Sequence, residues 1–180
     1  PPDKLGQRSL NQGEIFFDDV RVPASYMAVG PDAYAIALEM MLAFANAAMG
    51  ELFVGVASAA YDYALAYSKE RIQGGVPIHR HQSVRSRLFR MFMKVEAARA
   101  LARRVAVFNA AGAPKVQYSI ASKVFCTGTA FEVANEALQI FGGNGLSREY
   151  PIEKLLRDAR ASLIEDGCNE VLSIVGGARL

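Results

Sequence analysis

Apolar residues recur at helical spacing along most of this chain. In the clearest stretch they follow one another at steps of three and four residues: Val84, Leu88, Met91, Val95, Ala98, Leu101, Val105 and Phe108. Alanine, leucine and methionine dominate residues 31–70, and another apolar stretch runs from about residue 115 to Phe141. A further helical pattern begins near Pro151, a residue type favoured in the first turn of a helix, and a last short one follows Gly167.

Breaks rich in glycine and proline separate these stretches. "GGVP" at 74–77, "AAGAP" at 110–114 and "GGNG" at 142–145 each follow the end of a helical pattern. Long amphipathic helices joined by such short connections are typical of an antiparallel four-helix bundle. The pattern therefore predicts an all-α domain.

The first 25 residues have a different character. Residues 14–22, "EIFFDDVRV", are rich in β-branched and aromatic side chains and end at Pro23, which predicts a short strand. We therefore expect residues 1–25 to be the end of a β-rich domain or a linker. Residues 26–180 are expected to form the helical bundle.

Composition narrows the class of protein. A chain of 180 residues that is 52% hydrophobic can bury a substantial core as one domain, and a net charge of +2 does not suggest a nucleic-acid binder. Cys126 and Cys168 form no CxxC pair, and free thiols fit a cytoplasmic location. The apolar stretch from 33 to 68 is not expected to span a membrane, because polar residues interrupt it: Glu39, Asn46, Glu51 and Asp62.

A metal centre of the kind found in helical bundles is not predicted. Such di-iron sites use Glu-x-x-His pairs. Glu132 and Glu136 lie one helical turn apart, but the two histidines of the chain, His79 and His81, lie together between the first two long helices. We therefore interpret Glu132 and Glu136 as part of a solvated helix face.

Two glycine-containing stretches are candidates for chemistry. In "SLIEDGCNEV", residues 162–171, Glu165 and Asp166 stand directly before Gly167 and between two helical patterns. This arrangement fits a plain turn, and it equally fits a turn that holds a carboxylate for proton transfer. "FGGNG" at 141–145 lacks the Lys of a P-loop, so it is either a helix stop or a place where backbone approaches a ligand closely.

The order of several longer motifs resembles that of the acyl-CoA dehydrogenase family. These motifs are "FFDDVRVP" (16–23), "SKERIQGGVPIHRHQSV" (68–84), "VEAAR" (95–99), "QIFGGNGLSREYPIEKLLRDAR" (139–160) and "IEDGCNE" (164–170). Together they cover essentially the whole chain, and the stretch 139–160 is the most specific. The resemblance implies a C-terminal four-helix domain, preceded by the end of a middle β-domain.

This resemblance also implies an FAD cofactor, bound between the subunits of a dimer or tetramer. Arg71 and Gln82 resemble residues that reach the FAD pyrophosphate and adenosine of a neighbouring subunit. Gln139 and Gly143 resemble residues of the second wall of that site. Cys168 and Glu170 resemble residues that contact the flavin. Threonine is common in the family where Cys168 stands.

In the family, the catalytic base is usually a glutamate, and Asp166 occupies the matching position in this chain. Glu165 is the second candidate for the base. The base removes the α-proton of an acyl thioester while the β-hydride goes to the flavin. Some members carry the base on the first bundle helix instead, but the matching positions are Ala45 and Asn46. The resemblance therefore assigns the base to Asp166.

Three departures from the family pattern leave alternatives open. Aspartate is shorter than glutamate, Gly74 replaces an aromatic residue that usually packs beside the flavin, and Asn46 replaces the arginine that is usual in the family. The related nitroalkane oxidases use an aspartate at the matching position. A flavin oxidase or monooxygenase acting on a non-thioester substrate is therefore the enzymatic alternative, and a non-catalytic oligomerisation module is the other.

The expected function is that of the C-terminal domain of an FAD-dependent acyl-CoA dehydrogenase-like oxidoreductase in fatty acid metabolism. The expected partners are an acyl thioester such as acyl-CoA, further copies of the chain and, as a candidate electron acceptor, an electron-transfer flavoprotein. The segment of 180 residues alone is expected to be inactive, because the cofactor site needs a β-domain and a second subunit.

Overall fold

In the computed structural model, which describes residues 2–112 and 114–180, the chain is predominantly helical. The helices are α1 (Pro31–Glu70), α2 (Gln82–Ala111), α3 (Val116–Phe141), α4 (Ile152–Ser162) and α5 (Asn169–Gly177). Single 3-10 turns lie at Ala24–Tyr26, Ile78–Arg80 and Gly142–Leu146. The expected all-α bundle is confirmed, and its helix ends fall within a few residues of those predicted from the periodicity.

The helix ends follow local sequence signals. Pro31 occupies the first position of α1, directly after Gly30, whose backbone is extended. Helix α3 ends at Gly142, which has a φ of +60° and donates its backbone N–H to the carbonyl oxygen of Gln139. A left-handed residue of this kind satisfies a free carbonyl at a helix end, and glycine adopts that conformation most readily.

The core lies between α1 and α3, with α2 packed against both. Small residues dominate this core, and several alanines on the two helices are fully buried: Ala57, Ala60, Ala64, Ala130, Ala134 and Ala137. Gly50 of α1 allows the closest approach, since a Cβ there would lie only 2.3 Å from the Ser122 hydroxyl oxygen of α3. Larger side chains from α2, such as Met91 and Val95, fill the third side of the core.

The strand predicted over residues 14–22 does not form. Among the described residues, the only strands are β1 (Ile72–Gln73) and β2 (Val76–Pro77), which form a small antiparallel hairpin. A strand needs a partner for its backbone hydrogen bonds, and residues 14–22 are exposed without one. The expected division of the chain at residue 25 stays a prediction.

Part of the N-terminal segment packs directly on the bundle. Gly6 lies so close to α4 that a Cβ there would be 2.2 Å from the carbonyl oxygen of Arg157. The backbone N–H of Gln7 donates a hydrogen bond to the Asp158 carboxylate, at 2.5 Å. These contacts bring the first residues of the chain beside the connection between α4 and α5.

Helix α1 is unusually long and apolar. By length and composition alone, the segment from Ala24 to Glu70 could cross a membrane, a property it shares with the core helices of other proteins. One face of α1 packs along α3 in the core. The expectation that this segment does not cross a membrane stays a prediction.

Glu132 and Glu136 lie on the surface where α2 meets α3. Glu132 forms an ion pair with Lys94 at 2.5 Å, and Glu136 forms one with Arg87 at 2.6 Å. Within residues 2–112 and 114–180, no three His, Cys, Asp or Glu side chains are grouped so that they could hold a metal ion. Both glutamates therefore link helices on a partly solvated face.

Candidate active site

The connection between α4 and α5 is a tight turn built on two left-handed residues. Asp166 has a φ of +51° and Gly167 has a φ of +90°. Aspartate enters this region more readily than most residues, whereas a Cβ at Gly167 would also press on the Leu172 side chain at 3.2 Å. The backbone N–H of Asn169 donates to the carbonyl oxygen of Leu163 at 3.0 Å and closes the turn. The two positive φ angles explain why an aspartate and a glycine occupy these positions of the turn.

The two carboxylates of the turn have different surroundings. Glu165 is half-buried and accepts a hydrogen bond from the side-chain amide of Gln7. The Asp166 carboxylate is exposed, and among the described residues no hydrogen bond or ion pair engages it. Of the pair, Asp166 is therefore the carboxylate that is available to a bound molecule.

Asp166 borders a cavity of about 450 Å³. One wall of the cavity is apolar and is formed by successive turns of α1: Met49, Leu52, Phe53 and Val56. The opposite wall comes from the N-terminal segment, through Gln7, Leu10 and Gln12. A free carboxylate beside an apolar wall can accept a proton from a carbon acid that lies against that wall.

The other family position for a base carries no carboxylate. Asn46 is buried in α1 and donates its side-chain amide to the carbonyl oxygen of Leu42, at 2.8 Å. Its Oδ1 atom has no hydrogen-bond partner among the described residues. Neither Ala45 nor Asn46 can take up a proton as a carboxylate does, so these two positions supply no second base.

A second cavity, of about 430 Å³, lies where the end of α1, the hairpin and the end of α3 meet. Arg71 and Gly143 both line it, together with His81. The guanidinium group of Arg71 makes no ion pair with any described residue. At Gly142 and Gly143 a Cβ would meet nothing within 4 Å, so the glycine backbone is open to a ligand.

Aromatic side chains stabilise the glycine-containing turn at residues 142–145. The rings of Tyr67 and Phe141 are stacked with their centroids 4.1 Å apart. The side-chain amide of Asn144 donates to the hydroxyl of Tyr67 at 3.1 Å and to that of Tyr150 at 3.4 Å. Stacking and hydrogen bonds together hold the turn in one arrangement.

An exposed guanidinium group beside open backbone fits a phosphate-bearing cofactor such as FAD. Gly74 stands where the sequence resemblance predicts an aromatic residue beside such a cofactor. It has a φ of +61° and, with Gly75, forms the turn of the hairpin. A two-residue turn of this kind favours glycine over an aromatic residue. The cavity therefore suits the phosphate part of the cofactor better than an aromatic contact with its ring system.

The remaining predicted site residues divide between the two places. Gln82 is the first residue of α2 and Gln139 lies near the end of α3; both are exposed and adjoin residues that line the second cavity. Cys168 directly precedes α5 and Glu170 lies in its first turn, so both lie close to Asp166 along the chain.

The structure does not bring these two groups of residues together within one chain. Val56 lines the same cavity as Asp166, and Arg71, directly after the end of α1, is 15 residues further along the chain. At 1.5 Å per residue this is a distance of roughly 22 Å. A single cofactor therefore reaches both groups only if it is long or if two chains contribute to one site.

Lys123 is a residue near the site that the sequence did not single out. Its side chain is completely buried in α3, and its ammonium group donates to the Gly167 carbonyl oxygen at 2.8 Å. Burial lowers the pKa of Lys123, while the carboxylates of Glu165 and Asp166 act in the opposite direction. Lys123 follows Ile120 and precedes Ala130 at helical spacing, so all three lie on the same buried face of α3. This spacing was the signal that could have identified Lys123 from the sequence.

Comparison with known proteins agrees with this architecture. The family described as "Acyl-CoA dehydrogenase, C-terminal domain" matches residues 35–180. The short-chain specific acyl-CoA dehydrogenase of Megasphaera elsdenii is 38% identical over 180 residues, which are 99% of this chain and 47% of that protein. The probable acyl-CoA dehydrogenase YngJ of Bacillus subtilis is 35% identical over 97% of this chain and 46% of its own length.

Solved structures show the same fold. The butyryl-CoA dehydrogenase of Megasphaera elsdenii superimposes with a TM-score of 0.92 at 36% identity, covering 98% of this chain and 46% of that one. The chain thus spans about half the length of the relatives that it matches. On both sequence and fold, the chain belongs to the acyl-CoA dehydrogenase family and corresponds to its C-terminal domain.

Proposed function

We propose that this chain is the C-terminal domain of an FAD-dependent dehydrogenase that converts an acyl thioester, such as an acyl-CoA, into an enoyl thioester. In this proposal Asp166 removes the α-proton of the substrate. When bound, FAD supplies the acceptor for the β-hydride. The observation that carries the proposal is the free Asp166 carboxylate at the edge of a cavity that has one apolar wall; Glu165 also lines this cavity, but Gln7 already engages it.

The acyl group of the substrate would lie against the apolar wall that α1 forms. Apolar side chains at Met49, Leu52, Phe53 and Val56 exclude water from one side of the cavity. A hydrocarbon chain that lies against them presents its carbon atoms, and not a charged group, to Asp166.

FAD would be held at the second cavity, with Arg71 contacting the pyrophosphate and the backbone at Gly143 lying close to it. Gln82 and Gln139 would complete that part of the site, and Cys168 and Glu170 would lie near the flavin. The distance of roughly 22 Å along α1 between the two groups supports a cofactor shared between subunits. We accordingly propose a homodimer or homotetramer, with an electron-transfer flavoprotein as the electron acceptor and a cytoplasmic location.

Two observations favour a second candidate function, a flavin oxidase or monooxygenase with a substrate other than a thioester. The base position carries an aspartate, which is about one methylene shorter than glutamate, and Gly74 provides no aromatic contact for the flavin. Positional errors near 1 Å cost about 100-fold in rate. A smaller carbon acid, such as a nitroalkane, would approach the shorter side chain more closely.

Flavin reduction in the full-length protein tests both proposals. The purified holoprotein is mixed without oxygen with acyl-CoAs of increasing chain length and, separately, with nitroalkanes. Bleaching of the flavin absorbance by an acyl-CoA, with little hydrogen peroxide formed in air, supports the dehydrogenase. Bleaching by nitroalkanes with stoichiometric peroxide supports the oxidase, and a protein that binds FAD but is reduced by neither contradicts both.

A further inference from the structure

A buried lysine contacts the turn that carries Asp166. Lys123 lies in the middle of α3, and its side chain has no exposed surface. Its ammonium group donates to the carbonyl oxygen of Gly167 and to the side-chain oxygen of Asn169, both at 2.8 Å. A fully buried lysine is costly unless its donors are satisfied, and here two of its three donors are used by the turn and by the first residue of α5.

The contact belongs to a closed network. The side-chain amide of Asn169 donates to the hydroxyl of Thr127 at 3.0 Å, and that hydroxyl donates to the backbone carbonyl of Lys123 at 2.8 Å. One turn of α3 therefore specifies the position of both the Gly167 peptide group and the start of α5. Because Asp166 directly precedes Gly167 and both are left-handed, the same network constrains the direction in which the Asp166 side chain leaves the turn.

Lys123 also brings a positive charge close to the acidic groups of the turn. The titratable groups whose charges act on it are Glu165, Asp166, Cys168 and Glu170. All four lie in the turn or at the start of α5.

We propose that Lys123 is a positioning residue for proton abstraction: it holds the turn that aims Asp166 at the cavity. The kinetic part of this inference rests on the proposed function. The structural part, that Lys123 fixes the turn, does not depend on any substrate.

The test uses two variants of the full-length holoprotein and one control. Lys123→Met keeps the length of the side chain and removes both the charge and the donors, whereas Lys123→Gln keeps a donor without the charge. Lys115→Met removes a lysine that is exposed at the start of the same helix. Each variant is checked for helical content and for bound FAD before its flavin reduction is measured by stopped flow as a function of pH.

We expect Lys123→Met to slow flavin reduction by about 10- to 100-fold, as for a misplaced catalytic group. Lys123→Gln keeps a donor to the turn, so it should recover part of the rate, and Lys115→Met should behave as wild type. A wild-type rate of flavin reduction across the pH range in a folded Lys123→Met variant would overturn the positioning role.

Hydrogen exchange separates this inference from the proposed function. In wild type, the Asn169 and Leu172 amides are hydrogen-bonded to Leu163 and Cys168. In Lys123→Met, or in Lys123→Gln if the first variant does not fold, mass spectrometry should show faster exchange confined to residues 163–172. Unchanged exchange there would contradict the structural part. A wild-type protein that no acyl-CoA reduces would instead overturn the proposed dehydrogenase, whatever the exchange shows.

Discussion

The side-chain amide of Gln7 donates a hydrogen bond to the carboxylate of Glu165, joining two residues that are 158 positions apart in the chain. The same glutamine donates its backbone N–H to Asp158 of α4. Glu165 is thereby committed to holding the N-terminal segment on the bundle. Its neighbour Asp166 is left free at the cavity, although the two residue types have the same chemistry.

The first prediction follows from this division of roles. Asp166→Asn keeps the turn, since asparagine also tolerates a left-handed conformation, but it removes the proton acceptor. Flavin reduction by the best acyl-CoA should fall by about 10²- to 10⁴-fold, while bound FAD is retained. Stopped-flow absorbance of the full-length protein measures this. Wild-type rates in Asp166→Asn would remove Asp166 from the site.

Two further variants act as controls for that measurement. Glu165→Gln should have a mild effect, because the side chain already serves a structural contact with Gln7. Asp166→Glu should retain or improve activity on a thioester, because the longer side chain restores the reach that the family usually has. A loss of activity confined to Glu165→Gln would show that the two roles are reversed.

The second prediction concerns cofactor retention. Arg71→Ala removes a guanidinium group that lines the second cavity without an ion pair among the described residues. Charge-assisted hydrogen bonds to phosphate are among the stronger polar contacts, so FAD occupancy after gel filtration should fall while helical content remains. Arg90→Ala, an exposed arginine of α2, is the matched control. Equal FAD occupancy in both variants and wild type would contradict the role of Arg71.

The third prediction tests the turn itself. Gly167→Ala places a Cβ against Leu172 at a φ of +90°, and we expect it to lower the free energy of unfolding by about 1–3 kcal/mol. Gly128→Ala is the counterpart within α3: a Cβ there meets nothing within 4 Å, so this change should be neutral or stabilise by up to about 1 kcal/mol. Urea denaturation followed by circular dichroism compares the two. Equal stabilities would show that the turn is less constrained than described.

The fourth prediction distinguishes the two cysteines. Burial raises the pKa of the Cys126 thiol to about 11, whereas Cys168 is only half-buried beside the turn. Thiolate is the reactive form, and at pH 8 hardly any of the Cys126 thiol is ionised. Iodoacetamide should therefore modify Cys168 before Cys126 in the folded protein, as read by peptide mass spectrometry. If Cys168 lies near the flavin, FAD should slow its modification, and preferential labelling of Cys126 would contradict the burial.

The helices were predictable because their signals are local. The spacing of residues such as Val84 and Leu88 repeats within a few positions, and glycines such as Gly142 mark the ends through their own backbone preferences. The motif resemblance identified Asp166 in the same way, because the motif "IEDGCNE" at 164–170 consists of neighbouring residues in the chain. Each of these features can be read without knowing what lies across the molecule.

What only the tertiary structure decided depends on residues far apart in the chain. The strand predicted over residues 14–22 lacks a partner among the described residues, so its local propensity is not sufficient. Gln7 engages Glu165, and Lys123 lies beneath Gly167, because packing of the N-terminal segment and of α3 brings them there. Sequence patterns specify helix faces, but they do not say which distant side chain completes a buried polar contact. That choice was made by the packing of the helices.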